Sequence, residues 1–393
     1  MLIERVPYEG GSRLRYFIIA RELSKLGCET HLITMKMLPS DPRVLVEGNL
    51  RVYYLPVFLA FRLRGTAQLR LLIWTMEALL FSILLLLGRR NTKLYLNFSW
   101  SLAVGYILKK LFKLETFVIF HETLWRDLSA IPRSLRDFHR LCLEYVEEDR
   151  FVQRVTTLLT NFFLLQILRR DGFKIFCVSR ATKNMLLPWV MRPDVFVVWN
   201  GVDLDFVDSV PDREREDVVV YIGRLSRSKR IEDLIMAFKQ VKRRFENARL
   251  TILGSGPRES DVRTLISKCC LEHAATRRRW ASEFEKFKML KGCRLLVLPS
   301  VHEGFGLVVA EAFACRTPVV AYDLPALRDA FDDIPVYVKE GDVQGLAKAI
   351  VGLLEDPDLC ADRGIRGRRL VESAYTWKKV ALEECRHMFP DKG

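Results

Sequence analysis

The chain has 393 residues, half of them hydrophobic and 28% charged, with a formal net charge of +14. At roughly 100–200 residues per domain, that length suits about two domains, each able to bury a core. The composition excludes a disordered chain, and the positive balance favours anionic partners: nucleic acid, an acidic membrane surface or phosphorylated substrates.

The first segment, Leu2 to Val6, reads as a short, clipped strand before a turn-like PYEGGS. No basic stretch followed by an apolar core marks a signal peptide in MLIERVPYEGG. Tyr16, Ile19, Leu23 and Leu26 then recur at helical spacing, Gly27 ends that helix, and Glu29 to Met35 reads as a strand. Strand, glycine turn, helix, strand is the opening of a parallel α/β domain.

Leu71 to Leu87 is a long apolar run interrupted by Glu77. A membrane span needs ~20 apolar residues and bears a central acid poorly, so a span is the weakest reading. A buried domain helix and a membrane-apposed helix both fit. Phe151 to Leu168, with Arg150, Arg154, Arg169 and Arg170 around it, adds to the second.

Short apolar runs continue the strand pattern at Leu94–Phe98, Phe117–Phe120, Ile175–Val178 and Phe196–Val198. A charged stretch, PDREREDVV at 211–219, reads as the edge between two domains. The second half starts again with strands at Val218–Ile222, Leu250–Leu253, Leu295–Pro299 and Val319–Tyr322. A helix runs through Ile231, Leu234, Ile235 and Phe238. In open α/β sheets, ligands bind where such strands end.

Three loops there carry candidate chemistry. GRLSRSK at 223–229 sets Arg224, Arg227 and Lys229 between a strand and a helix start, a place that attracts anions. GSGP follows Leu253. SVHEGFG at 300–306 supplies Gly304 and Gly306 for close backbone approach, with Leu307 to Ala314 as a helix carrying Glu311 in its early part. Basic residues on one strand end and a glycine turn on another suit a diphosphate, and Glu303 and Glu311 suit the hydroxyls of ribose or sugar.

The nine cysteines are odd in number and include no CxxC, which suits reduced thiols in a cytosolic protein. Cys269, Cys270, His273 and Cys293 match no common zinc spacing, so no metal site is expected.

HEGFGLVVAE with the following AFACRTPVVA resembles the E-x7-E region of the family 4 retaining glycosyltransferases. GRLSRSK resembles that family's G-R-L-x-x-x-K element, LTILGSGP its strand and glycine turn, and WNGVD at 199–203 its interdomain segment. EGG at 9–11 resembles its N-terminal glycine loop, and YTWKKVA at 375–381 its terminal helix that crosses back to the first domain.

The resemblance implies an α/β protein of the GT-B fold, with two facing Rossmann-like domains, parallel sheets and an interdomain cleft. The boundaries would be 1–198, 199–374 and a crossing helix at 375–393. It implies transfer of a sugar from a nucleotide-diphosphate sugar to a glycan or lipid-linked acceptor, with retention and without metal or other cofactor. Arg224 and Lys229 would hold the diphosphate, Glu311 the ribose, and Glu303 the transferred sugar near the reacting centre. The backbone at Phe305, Gly306 and Leu307 would approach phosphates and sugar. Gly254 belongs to the donor loops, and Gly10 and Gly11 leave room for the substrates. His121, after the strand FVIF, would face the donor sugar. Implied partners are the nucleotide sugar and the acceptor. The apolar stretches and their arginines add an anionic membrane surface at the cytoplasmic face, and the lack of a basic-aromatic pattern speaks against nucleic acid. A nucleotide-sugar epimerase, a sugar-phosphate synthase and a non-catalytic sugar-nucleotide binder are the alternatives.

The sequence also departs from the family pattern. Arg230 and Arg316 stand where glycine is usual, Asp323-Leu324-Pro325 replaces a glycine pair, and the first strand looks truncated. Arg230 would add charge near the phosphates. Asp203-Leu204-Asp205 spells a metal-diphosphate motif of another glycosyltransferase fold and is read as coincidence.

Overall fold

The computed structural model describes residues 2–5, 11–36, 42–55, 67–89, 91–98, 100–121, 163–164, 166–169, 172–190 and 194–390. Its contacts divide the chain into two units. The first holds the described residues up to Asn200 and from Trp377 onward, and the second holds Gly201–Thr376.

In the first unit, eight strands form one sheet: β1 (Leu2–Arg5), β2 (Thr30–Met35), β3 (Val44–Glu47), β4 (Leu50–Leu55), β5 (Lys93–Asn97), β6 (Glu115–Phe120), β7 (Lys174–Cys177) and β8 (Val195–Val197). The order is β3-β4-β2-β1-β5-β6-β7-β8. All neighbours are parallel except β3 and β4, a hairpin closed by Gly48-Asn49. Helices α1 (Gly11–Lys25), α2 (Ala67–Leu86), α3 (Trp100–Phe112) and α4 (Arg180–Val190) accompany it. As expected for a strand-forming core, β5 to β7 bury continuous apolar runs.

Helix α2 settles how the Leu71–Leu87 run is used. Trp74, Ala78, Ser82 and Leu86 recur every four residues and are buried. Met76, Leu80, Leu84 and Leu87 are exposed on another stripe of the same run. Among the described residues, no helix is long and apolar enough to cross a membrane. Most of the Phe151–Leu168 run lies outside the described residues.

The C-terminal helix (Trp377–Met388) belongs to the first unit and packs on α1. A buried polar knot ties it there. Arg15, 0% exposed, donates to Trp199 O at 2.8 Å and to Asn200 Oδ1 at 2.9 Å, and pairs with Glu384, which is also fully buried. Tyr95 Oη donates to the same Glu384 oxygen at 3.1 Å, and the guanidinium lies 5.8 Å from the Trp377 ring centre.

The second unit has six parallel strands: β9 (Glu216–Ile222), β10 (Arg249–Leu253), β11 (Ala275–Arg278), β12 (Cys293–Leu298), β13 (Val319–Tyr322) and β14 (Val336–Val338). Their order is β11-β10-β9-β12-β13-β14. The chain builds outward from β9 in one direction, then returns to place β12 on its other side. Helices α5 (Leu204–Ser209), α6 (Ile231–Arg244), α7 (Glu259–Lys268), α8 (Glu283–Gly292), α9 (Leu307–Ala314), α10 (Pro325–Phe331), α11 (Val343–Glu355) and α12 (Pro357–Ala374) complete it. Helix α6 shows why: Ile231, Leu234, Ile235, Phe238 and Val241 are buried on one stripe. Acids sit in its first turn and bases in its last, complementing the helix dipole.

Arg316 follows α9 with φ +56°, the left-handed conformation that favours glycine and costs another residue about 1–2 kcal/mol. The surroundings hold it there. Arg215 donates to the carbonyls of Cys315 at 3.0 Å and Arg316 at 2.8 Å. A Cβ at Gly364 on α12 would stand 2.0 Å from that same Arg316 oxygen.

Candidate functional site

The point where a parallel sheet reverses its order leaves the following loops splayed apart, and ligands bind there, beyond the strands' C-terminal ends. In the second unit the reversal falls between β9 and β12. The loop after β9 carries Arg224 and Lys229, and the loop after β12 carries Glu303. Lys229 Nζ donates to Glu303 Oε1 at 2.7 Å and to His302 O at 3.4 Å. Both side chains are largely shielded, at 19% and 12% exposed. Val301 N donates to Ser228 O at 2.8 Å, joining the loops through their backbones. Two residues expected to act on the same substrate thus meet, although they lie 74 positions apart.

Lys229 ends a short 3-10 turn, Arg227–Lys229. Arg224 is exposed, and its carbonyl accepts from Tyr221 Oη at 2.9 Å. Arg230 adopts φ +46°, confirming a position where glycine is the easier choice. Its charge is engaged: Nε donates to Asp233 Oδ2 at 3.1 Å, and Tyr322 Oη donates to the same oxygen at 2.6 Å. The expectation that Arg230 simply adds charge for phosphates is therefore corrected, because Asp233 already balances it.

The glycines of GSGP have a packing reason. Leu225 N donates to Ser255 O and Arg258 N to Leu225 O, each at 3.0 Å. A Cβ on Gly254 would lie 1.9 Å from Gly223 O, and one on Gly256 would lie 2.4 Å from Leu225 O. Those contacts are with backbone, so the loop carrying Arg224 and Lys229 must shift to admit a methyl group. Gly254→Ala is expected to destabilise the unit by about 1–3 kcal/mol and to weaken anion binding at Lys229. Urea titration with ligand titration measures both, and unchanged values would mean that the loop is not seated on Gly254.

The loop after β12 ends at Gly306, φ +86°, the residue before α9. A side chain there would also meet Leu327 Cδ2 at 2.5 Å. Phe305 is buried against Phe331 and Tyr375, with ring centres 5.3 Å and 5.2 Å away. Its side chain anchors the loop. Leu307 opens α9, whose first amides have no partner within the helix and carry its positive end.

Glu311 is the fifth residue of α9, beyond the first turn, so complementing the dipole does not account for it. It accepts from Lys286 Nζ at 2.8 Å, and Lys286 also reaches Glu283 at 2.7 Å. Burial pushes the Glu311 carboxyl up from its ordinary range, while Lys286 pulls it back. Lys286 is missing from the residues read out of the sequence. Its spacing from Glu283 looks like an ordinary helix-surface pair, and only the packing of α8 on α9 brings it to Glu311.

His121 lies in the first unit, just past the end of β6. Its Nε2 is 3.0 Å from Tyr16 Oη, which donates to Asn97 Oδ1 at 2.6 Å. Burial, with Arg15 adding to it, lowers the imidazole to about 3, so the ring is neutral near pH 7. Gly11 is the first residue of α1, and Gly10 lies outside the described residues. Asp203 caps α5, accepting from Phe206 N at 3.1 Å, which gives the Asp203-Leu204-Asp205 triplet a structural role. The eight described cysteines are free thiols.

Residues 205–370 match the sequence profile described as glycosyl transferases group 1. This segment belongs to that family. A glycogen synthase of Mycobacterium tuberculosis is 30% identical over 48% of this chain and 46% of its own. The chain spans about half the length of the curated relatives it matches. Solved glycosyltransferase-type structures match almost end to end. Sucrose-phosphate synthase from Thermosynechococcus elongatus aligns with a TM-score of 0.77 at 21% identity, covering 98% of this chain and 96% of that one. Anabaena HepE in complex with UDP and glucose aligns at 0.70 and 16% identity, covering 98% and 97%. At such identities the likeness is one of fold: the GT-B class, with two α/β units built on parallel sheets.

Proposed function

We propose that the protein is a retaining glycosyltransferase that moves a sugar from a nucleotide-diphosphate sugar to a glycan or lipid-linked acceptor. The observation that carries this reading is the Lys229–Glu303 pair at the reversal point of the second sheet, beside the positive end of α9. In the proposed reaction, the bond from the anomeric carbon to the diphosphate oxygen breaks, and the acceptor oxygen attacks from the same face. The acceptor's proton passes to the departing diphosphate. Charge accumulates on that leaving group, and cations held in a shielded site stabilise it most effectively.

Lys229 and Arg224 are the proposed cations, which is the basis for reading the reaction as metal-independent. Glu303 turns to the hydroxyls of the transferred sugar, with its charge balanced by Lys229. Glu311 accepts from the ribose hydroxyls, with Lys286 holding it in place. His121 serves as a neutral hydrogen-bonding group.

The test is a panel of nucleotide sugars screened by thermal unfolding, since a ligand of the folded state raises stability with the logarithm of its concentration over Kd. At 100 times Kd, the right donor should add about 2.7 kcal/mol, and Glu311→Ala should remove most of that gain. A flat response across the panel would defeat the reading.

Association with the inner face of the cell membrane is also proposed. Its support is the exposed stripe Met76, Leu80 and Leu84 on α2 and Leu87 just after it, with Ile107, Leu111 and the basic pair Lys109-Lys110 on α3. Apolar side chains flanked by lysines suit an anionic lipid surface. Leu80→Gln with Leu84→Gln should abolish flotation with anionic liposomes. A wild-type chain that never floats with them would rule this out.

A further inference from the structure

Lys229 must be aimed as well as charged. It ends the 3-10 turn, and the next residue, Arg230, takes φ +46° and ψ +39° before α6 begins. That left-handed step redirects the chain between Lys229 and the helix. It disfavours any residue with a Cβ, so something must hold Arg230 there. Within the turn, Arg230 N donates to Arg227 O at 3.3 Å, a long bond.

The holding group is Asp233, in the first turn of α6. Its Oδ2 accepts from Arg230 Nε at 3.1 Å, and its amide donates to Arg230 O at 3.0 Å. One residue thus grips Arg230 by side chain and by backbone. Asp233 is 8% exposed, whereas the Arg230 side chain is 48% exposed. The shielded carboxylate is therefore the fixed point to which the guanidinium is drawn.

A buried carboxylate needs further hydrogen bonds to offset its desolvation. Tyr322 Oη supplies one, donating to the same Oδ2 at 2.6 Å. Tyr322 ends β13, is 0% exposed, and shares a core with Ile231, Leu234 and Ile235 of α6. Burial, with the adjoining carboxylate adding to it, pushes the phenol up, so it stays protonated and able to donate. In the sheet, β12 lies between β9 and β13. The Tyr322–Asp233 bond therefore ties the start of α6 to the strand beyond β12, and β12 is the strand whose loop carries Glu303.

We propose that Asp233 and Tyr322 are positioning residues for Lys229. Tyr322 fixes Asp233, Asp233 holds Arg230 in the left-handed turn, and that turn aims the Lys229 ammonium at the leaving diphosphate. This role rests on the reading of Lys229 as the diphosphate's cation.

The test is release of nucleoside diphosphate by the full chain from UDP-glucose, GDP-mannose or ADP-glucose, with water as acceptor. Asp233→Ala should lower kcat about tenfold and change KM less than about threefold, because the aim of Lys229 matters most as charge builds on the leaving group. Tyr322→Phe should move kcat in the same direction by a smaller factor. Two backgrounds separate positioning from general support of the fold. In Lys229→Ala there is no ammonium to aim, so adding Asp233→Ala should cost less than about threefold. In Arg230→Gly the turn forms unaided, so adding Asp233→Ala should again cost less than about threefold. Thermal unfolding checks each variant, and Asp233→Asn, which keeps the shape and drops the charge, replaces Asp233→Ala if that does not fold. A loss undiminished in either background would overturn the proposal. So would wild-type kcat in both the Asp233 variant and Tyr322→Phe. A wild-type chain that releases no diphosphate from any of the three donors fails the donor-site reading itself, and the positioning role falls with it.

Discussion

Replacing Lys229 with alanine is expected to lower kcat/KM for the nucleotide sugar by about 10²–10³-fold, or about 2.7–4 kcal/mol of transition-state stabilisation. The estimate takes the loss of one well-placed charge donor in a shielded site as its guide. Two effects act together. The ammonium that balances the leaving diphosphate is gone, and Glu303, 12% exposed, loses its counter-ion. An unbalanced carboxylate beside phosphates repels them. Lys229→Arg keeps the charge on a bulkier, planar group and should recover part of the rate. Both variants should remain folded by circular dichroism, since the backbone bond from Val301 to Ser228 still joins the loops. Donor turnover equal to wild type in Lys229→Ala would remove Lys229 from the proposed mechanism.

The largest expected effect on stability comes from Glu384→Ala, at about 3–5 kcal/mol. Arg15 and Glu384 are both fully buried, and Arg15 cannot shed its charge by deprotonation. Without the carboxylate, the guanidinium keeps the Trp199 and Asn200 oxygens, the Tyr95 hydroxyl and the nearby Trp377 ring among the described residues. Removing both charges should cost far less than removing one, because well-packed apolar groups carry no desolvation penalty. Arg15→Met combined with Glu384→Leu should therefore recover most of the loss. Denaturant unfolding of the two single variants and the double variant gives the comparison. A loss below about 1 kcal/mol in Glu384→Ala would show that the knot contributes little.

Much of the fold was legible in the order of short apolar runs, because a strand buried on both faces must be apolar along its length. The misses have local causes. Strand β11 reads Ala-Thr-Arg-Arg and alternates between half-buried and exposed at the sheet edge, so it carries no apolar signal. Strand β14 has three residues. Strands β3 and β4 were readable: Gly48-Asn49 between two β-rich runs is a hairpin signal. At the candidate site, Glu303, Glu311, Arg224 and Lys229 stood out through motif spacing. Lys286 did not, since nothing local distinguishes it from a surface lysine.

The sequence by itself determined much of the elements and their punctuation: apolar runs for strands, the stripe of α6, and a glycine at Gly306 where the backbone turns left-handed before α9. These depend on neighbours a few positions away or on the properties of one residue. Only the tertiary structure decided which loops meet. Lys229 and Glu303 form one pair because the sheet reverses between β9 and β12. Glu311 is matched to Lys286 because α8 packs on α9, and Arg15 is matched to Glu384 across most of the chain. Charge pairing acts through space over a few ångströms, so positions far apart in sequence acquire their partners only when strand order brings them together.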